Sequence, residues 1–353
     1  MKAAVRILVL LAASATAVWF INRSAGEAPL TPAGPQLVAS TQRSMGAEAR
    51  LTAWTSDEKA ARAAFDDAFR ELERLESLMS VWRAGSDIVK LNEAAGRQPV
   101  RVSQEVFDAL RAAREFGDTT SGAFDVTFGA LADIWKFDHD QDNRIPSPAD
   151  IQKRLPLVGY KDLVLDAAAR TAYLTRAGMR AHLGGIGKGY AVDRVAGVLK
   201  SRGLTSFMIQ FGGDMYLAGM AGSRQWRVGI QDPRGEGNKS FAALELADSA
   251  VSTSGDYERF FLKDGVRYHH IMNPRTGQPA RGSRSVTIVA DTSTRADALS
   301  TGVFVMGPVE GMALIERLPN VEGVIVNDRN EVLVSSGLKT RLAILSQPTD
   351  ATP

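Results

Sequence analysis

From Ser56 to Leu78 the apolar residues Ala61, Ala64, Phe65, Ala68, Phe69, Leu72, Leu75 and Leu78 recur at intervals of three and four, with charges between them. That period predicts a helix burying one face, with Ser56 as its N-cap. A second helix is predicted at about 104–116, whereas 122–137 holds apolar residues with no single period. Alternating or β-branched runs bounded by Gly, Asp or Pro predict strands at 162–165, 207–211, 226–231, 285–290 and 322–327. Between them, 188–202 reads as a helix stopped by Gly203, and 294–306 as one stopped by Gly307. The elements lack the regular strand–helix alternation of a doubly wound sheet, so mixed α and β is expected.

The N-terminal pattern differs from everything after it. Lys2 and Arg6 precede an apolar run from Ile7 to Ile21, followed by Asn22, Arg23 and Ser24, which is the order of a secretory signal. The run is roughly 15 residues against the ~20 that span a bilayer comfortably, so residues 1–28 read as either a signal peptide or a membrane anchor. Pro29, Pro32 and Pro35 make 29–37 a linker. The folded domain is then expected over 38–346, with 347–353 a disordered tail.

Composition narrows the partners. In 353 residues, 44% hydrophobic and 23% charged describe a folded globular chain. With 42 Lys and Arg against 40 Asp and Glu, no bulk field exists to hold a nucleic-acid backbone. The absence of cysteine excludes disulfides, thiolate zinc sites and a cysteine nucleophile.

Three patterns carry candidate chemistry. Leu183-Gly184-Gly185-Ile186-Gly187-Lys188-Gly189 sets glycines and a lysine at a helix start, where free amides favour an anion. It lacks the spacing of a P-loop or a dinucleotide fingerprint, and a tight helix–strand crossing explains the small residues equally well. Asp297 and Thr301 lie four apart on one helix face, an arrangement of oxygens suited to Mg²⁺; an acid partnering the helix dipole is the plainer alternative. Ser252-Thr253-Ser254-Gly255-Asp256-Tyr257 is hydroxyl-rich but has no nucleophile elbow, so a polar turn is expected. His269 and His270 are adjacent, so on a strand only one of them faces a site.

The order of these blocks resembles one family. Met45-Gly46, Met79-Ser80-Val81-Trp82, Gly122 to Thr127, Leu183 to Asp193, Gly212-Gly213-Asp214, Ser252 to Tyr257, His270 to Gly277 and Ala296 to Thr301 are together similar to an ApbE-type FAD:protein FMN transferase. The resemblance runs from about Met45 to Gly307. It implies an α+β, T-fold-like architecture of mixed and antiparallel sheets with flanking helices. It also implies an Mg²⁺-dependent transfer of FMN from FAD to a Thr or Ser hydroxyl of an exported or membrane redox protein, releasing AMP. Carried over, it suggests that Met45, Trp82, Ala123, Phe124, Asp125, His182, Lys188, His270 and Ile271 line the FAD site. The Gly185 carbonyl, Asp297 and Thr301 would hold Mg²⁺, with His270 as general base and Lys188 offsetting phosphate charge.

The chain departs from the family pattern at His182 and Asn273, where acids are usual. Histidine at 182 would gain charge below about pH 6.5 and then oppose Mg²⁺, so a raised magnesium requirement is expected there. Two alternatives accompany the transferase reading: an Mg²⁺-dependent FAD pyrophosphatase, and a non-catalytic FAD-binding or assembly protein. The N-terminal pattern places the expected acceptor in the periplasm or on the outer face of the inner membrane.

Overall fold

The computed structural model describes residues 34–351 apart from Asn238, so the signal or anchor expected over 1–28 lies outside the described residues. A sheet of eight antiparallel strands forms the centre, and its strands lie side by side in chain order. They are β1 (Gln36–Ser44), β2 (Ala47–Thr55), β3 (Phe207–Phe211), β4 (Asp214–Ala218), β5 (Ser249–Gly255), β6 (Ser283–Ala290), β7 (Glu322–Asn327) and β8 (Val332–Val334). The β1–β2 hairpin turns on Met45 and Gly46, with φ of 46° and 76°. Positive φ at both central residues suits the right-handed twist of the flanking strands.

Helices α1 (Glu58–Met79), α2 (Gln104–Thr119), α3 (Gly187–Ser201), α4 (Ser293–Met306) and α5 (Pro308–Arg317) cover one face. The apolar stripe of α1 packs with Leu51, Phe207 and Phe211 of the sheet and with Val192, Val195 and Leu199 of α3. Each large side chain fully buried there contributes about 1.5–3 kcal/mol. Further along, Leu299, Val303 and Phe304 of α4 pack on Val286 and Ile288 of β6. The other face is closed by a three-stranded sheet, Trp226–Gln231, Ser240–Leu246 and Ala343–Ile344, which buries Trp226, Phe241 and Leu244 against Leu217, Val251 and Val324. Strand β5 therefore has two inner faces: Val251 points into this second core, while Ala250, Ser252 and Ser254 point at the helices.

Several expectations are corrected. Asp57, not Ser56, caps α1, its carboxylate accepting from the Ala60 amide at 2.8 Å. β1 begins at Gln36, inside the stretch read as linker, because pairing with β2 starts as soon as Pro35 is passed. The described part of the tail is tied down: Thr349 donates to Asp232 at 2.6 Å, and Asp350 pairs with Arg284 at 3.2 Å. Ser252 to Tyr257 is mostly strand, since β5 runs to Gly255. Residues 122–137 showed no period because they hold only one four-residue helix, Gly129–Ala132; Trp135 and Phe137 pack with Phe261 in an aromatic cluster.

A buried ion pair joins the turn after β5 to the loop after Trp226–Gln231. Arg234 donates to both Asp256 oxygens at 2.7 Å, and the two side chains are 8% and 9% exposed. Arg234→Met is expected to lower unfolding free energy by about 3–5 kcal/mol because it strands a buried carboxylate, and Arg234→Met/Asp256→Leu should recover most of that loss. Urea unfolding of the three proteins measures both, and equal stability of the single and double variants would contradict the assignment.

Candidate active site

A cavity of about 800 Å³ opens between the helical layer, the hairpin turn at Met45 and the loops after β5. Its chemistry is concentrated where α3 crosses α4. Gly189 in the first turn of α3 permits the crossing: a Cβ there would lie 2.3 Å from the Ser293 carbonyl oxygen and 2.6 Å from Asp297 Cβ. The Gly189 N–H, one of the free amides of the helix start, donates to Asp297 Oδ2 at 2.9 Å. A second tie lies one turn on. Asp193 of α3 accepts from the Ser293 and Thr294 amides, each at 2.8 Å, and so caps α4 from a neighbouring helix.

These ties aim three groups into the cavity. Asp297 is 3% exposed, and burial together with the charge of Asp214 raises its carboxyl to about 7. Thr301 follows one turn later, and a Cβ on Gly185 would come within 3.1 Å of Thr301 Oγ1. Lys188 pairs with Asp214, and its ammonium stays protonated because the two acids beside it outweigh burial. Two carboxylates thus face one ammonium, and Lys188 is engaged by Asp214. A small oxygen-seeking cation fits the remainder: a buried carboxylate whose Oδ2 is held by an amide, a hydroxyl one turn away, and the Gly185 backbone against that hydroxyl. Among the described residues no cluster of three or more His, Cys, Asp or Glu side chains forms a metal site, so any such cation would rely on a mixed set of oxygens.

His182 and His270, two of the three histidines that border the cavity, are held neutral. His270 Nδ1–H donates to the Arg259 carbonyl at 3.3 Å, and burial with the nearby Arg259 charge pushes its imidazole well below the usual range. Nε2 is then the free basic nitrogen. His182 Nδ1 accepts from the Gly184 amide at 3.0 Å, and burial lowers its pKa to about 4. The charge expected on His182 below pH 6.5 therefore develops only near pH 4, and a magnesium requirement tied to it moves to that pH. His269 faces away and bonds the Ala280 carbonyl at 2.9 Å.

All twelve positions drawn from the resemblance border this one cavity. Met45 enters from the hairpin turn, its amide held by Glu76 at 3.0 Å. Trp82 stands at the mouth, 56% exposed, with its ring edge-on to His139 at 4.5 Å between centroids. Ala123, Phe124 and Ile271 supply apolar wall. Asp125 is a wall residue whose carboxylate is consumed locally, accepting from the Thr127 amide and hydroxyl and from the Tyr160 amide. Asn273 is used in the same way: its Oδ1 accepts from the Arg275 amide at 2.9 Å.

Sequence reasoning passed over several neighbours. Asp214 lay in a glycine block read as a turn; an acid straight after that turn, at the start of a strand, was the available signal. The pair of Asp138 and Arg259, which joins two cavity loops, had none.

A family model described as the ApbE family matches residues 45–325. The chain is 35% identical over 298 residues to a FAD:protein FMN transferase of Treponema pallidum (strain Nichols), covering 80% of this chain and 82% of that protein. A FAD:protein FMN transferase of Klebsiella pneumoniae (strain 342) is 31% identical over 302 residues, 85% and 92% of the two chains. Among solved structures, the ApbE protein of Thermotoga maritima superposes with a TM-score of 0.80 at 33% identity, over 87% of this chain and 99% of that one. The flavin transferase ApbE of Vibrio cholerae gives 0.78 at 28% identity over the same shares.

The raised Asp297 carboxyl predicts a pH dependence. A folded-state pKa of about 7 against an ordinary 3.8 means the folded chain binds this proton more tightly, so metal-free stability falls as pH rises from about 4 to 7. Asp297→Asn cannot ionise, yet it keeps an acceptor for the Gly189 amide. In the absence of divalent metal it is expected to melt higher than the wild type at about pH 8 and level with it near pH 4. Thermal melts in a chelator decide this, and a pH-independent difference would contradict it.

Proposed function

The chain belongs to the ApbE family and is a transferase, and we propose that it moves FMN from FAD to a Thr or Ser hydroxyl of an exported redox protein, in an Mg²⁺-dependent reaction that releases AMP. The observation that carries this reading is the single cavity wall on which Lys188, Asp297 and Thr301 meet, with neutral His270 on the cavity lining. In the transfer, the acceptor oxygen bonds to the FMN-side phosphorus of FAD as the pyrophosphate bond breaks, and AMP departs with the bridging oxygen. The hydroxyl proton passes to His270 Nε2, whose basicity is available because Nδ1–H is committed to Arg259. Lys188, kept charged by Asp214, offsets negative charge on the phosphates. Gly185, Asp297 and Thr301 would hold Mg²⁺, which when bound neutralises pyrophosphate charge. Trp82 and Phe124 offer aromatic surface to the ring systems of FAD.

The location also belongs to this reading. Lys2 and Arg6 ahead of Ile7 to Ile21 support export, with the enzyme periplasmic or anchored in the inner membrane facing the periplasm. No helix among the described residues is long and apolar enough to cross a membrane.

Incubation with FAD, Mg²⁺ and an exported flavoprotein fragment carrying the acceptor hydroxyl is expected to leave flavin fluorescence on the fragment after denaturation. Asp297→Asn should reduce the rate by orders of magnitude, and His270→Ala by about 10²–10⁴-fold. Free FMN released at the same rate without any acceptor would instead identify a pyrophosphatase.

A further inference from the structure

Beneath the cavity wall runs a chain of buried polar side chains that the transfer chemistry does not itself require. Asp214, at the start of β4, is 0% exposed, and its cross-strand partner on β5 is Ser252. Asp214 Oδ2 takes the Lys188 ammonium, while Oδ1 accepts from Ser252 Oγ at 2.6 Å. Ser252 Oγ lies 3.2 Å from Ser300 Oγ in α4, and Ser300 Oγ lies 2.8 Å from Ser254 Oγ. Ser254 Oγ in turn lies 3.3 Å from Thr301 Oγ1, and Thr301 borders the cavity. Ser252 and Ser300 are 2% and 0% exposed, positions where alanine would pack without needing any partner.

Proton counting gives this chain a direction. A carboxylate paired with an ammonium only accepts, so the Ser252 proton is committed to Asp214. Ser300 has one proton, within reach of Ser252 Oγ and of the Asp297 carbonyl at 2.9 Å, and both of those only accept from it. With the Ser300 proton given to Ser252 or to the Asp297 carbonyl, the 2.8 Å contact is a donation from Ser254 to Ser300. The Ser254 proton is then used, so Thr301 donates to Ser254. In that arrangement the hydroxyl protons run inward, and the Thr301 lone pairs are left for the cavity.

We propose that Asp214 is a positioning residue which, through Ser252, Ser300 and Ser254, fixes the Thr301 hydroxyl with its lone pairs toward a divalent cation. The proposal rests on the reading that Asp297 and Thr301 bind Mg²⁺. It gives Asp214 two tasks at once, holding Lys188 charged on one oxygen and polarising the hydroxyl chain on the other. An asparagine at 214 presents an NH₂ that can donate to Ser252, which removes the fixed direction.

The test is calorimetric titration of Mg²⁺ into the metal-free, FAD-free protein, so no turnover is involved. Ser254→Ala is expected to weaken Mg²⁺ binding about 10–100-fold, the usual effect of losing an outer partner of a ligand, while the metal-free melting temperature stays that of the wild type. Ser254→Thr restores the hydroxyl and should restore the affinity. Asp214→Asn should weaken binding at least as much as Ser254→Ala. Wild-type affinity in both Ser254→Ala and Asp214→Asn would overturn the proposal, as would a loss in Ser254→Ala that tracks a lower melting temperature and is not rescued by threonine. Absence of Mg²⁺ binding by the wild type would overturn the metal reading, and this inference with it.

Discussion

The site depends on one close approach between two helices. Because residue 189 has no side chain, the first turn of α3 can lie against the backbone of Ser293, and its amide can reach the Asp297 carboxylate. Asp193 locks the same two helices four residues further along α3, through the first amides of α4. The glycine run at the start of α3 makes a tight packing surface, against a helix rather than the strand its sequence suggested, and one of its amides meets an acid. The small residues make the crossing possible, and the crossing delivers Lys188, Asp297 and Thr301 to one wall.

Charge then limits what that wall can accept. The Lys188 ammonium is held by Asp214, and Asp297 remains as a buried acid whose carboxyl is raised to about 7 by burial and the charge of Asp214 in spite of the nearby Lys188. A pyrophosphate brought against this wall alone would meet a carboxylate and a partly neutralised lysine. His182 and His270 are uncharged and supply no compensation. A cation at Asp297 would remove both difficulties at once, lowering the cost of the buried acid and giving the phosphates a counter-charge. The same neutrality leaves His270 free to take a proton rather than carry one.

What the sequence made legible follows from how each element is buried. Helix α1 has one face in the core and one in water, so its period was plain; its cap was misplaced by one residue because Ser56 and Asp57 are both good caps. Strands β3 and β7 and the strand Trp226–Gln231 were found with their boundaries, since each carries a run of large apolar or β-branched residues. Strand β5 was taken for a turn because its helix-facing side presents Ser252 and Ser254 instead of aliphatic side chains. The β1–β2 hairpin was passed over: β1 has a single buried residue, Val38, and gives almost no alternation. The order of short blocks named residues that border one cavity, but it could not show that Asp125 is spent on Thr127 and the Tyr160 amide or that Asp214 carries Lys188.

Helix α4 shows which sequence signal was worth more weight than it received. An acid in the first turn of a helix is ordinarily a solvated partner of the dipole, and on an amphipathic helix that reading would hold. Here Ala296, Ala298, Leu299, Gly302, Val303 and Phe304 are all buried along with Asp297 and Ser300, so the helix has no polar face on which those two could be solvated. A helix apolar on every side belongs to the core, and each polar group on it must find a partner there or a ligand. Ser300 finds its partners in Ser252, Ser254 and the Asp297 carbonyl. Asp297 finds one amide for two oxygens. The second oxygen of that carboxylate has no hydrogen-bond partner among the described residues, and Asp297 borders the cavity.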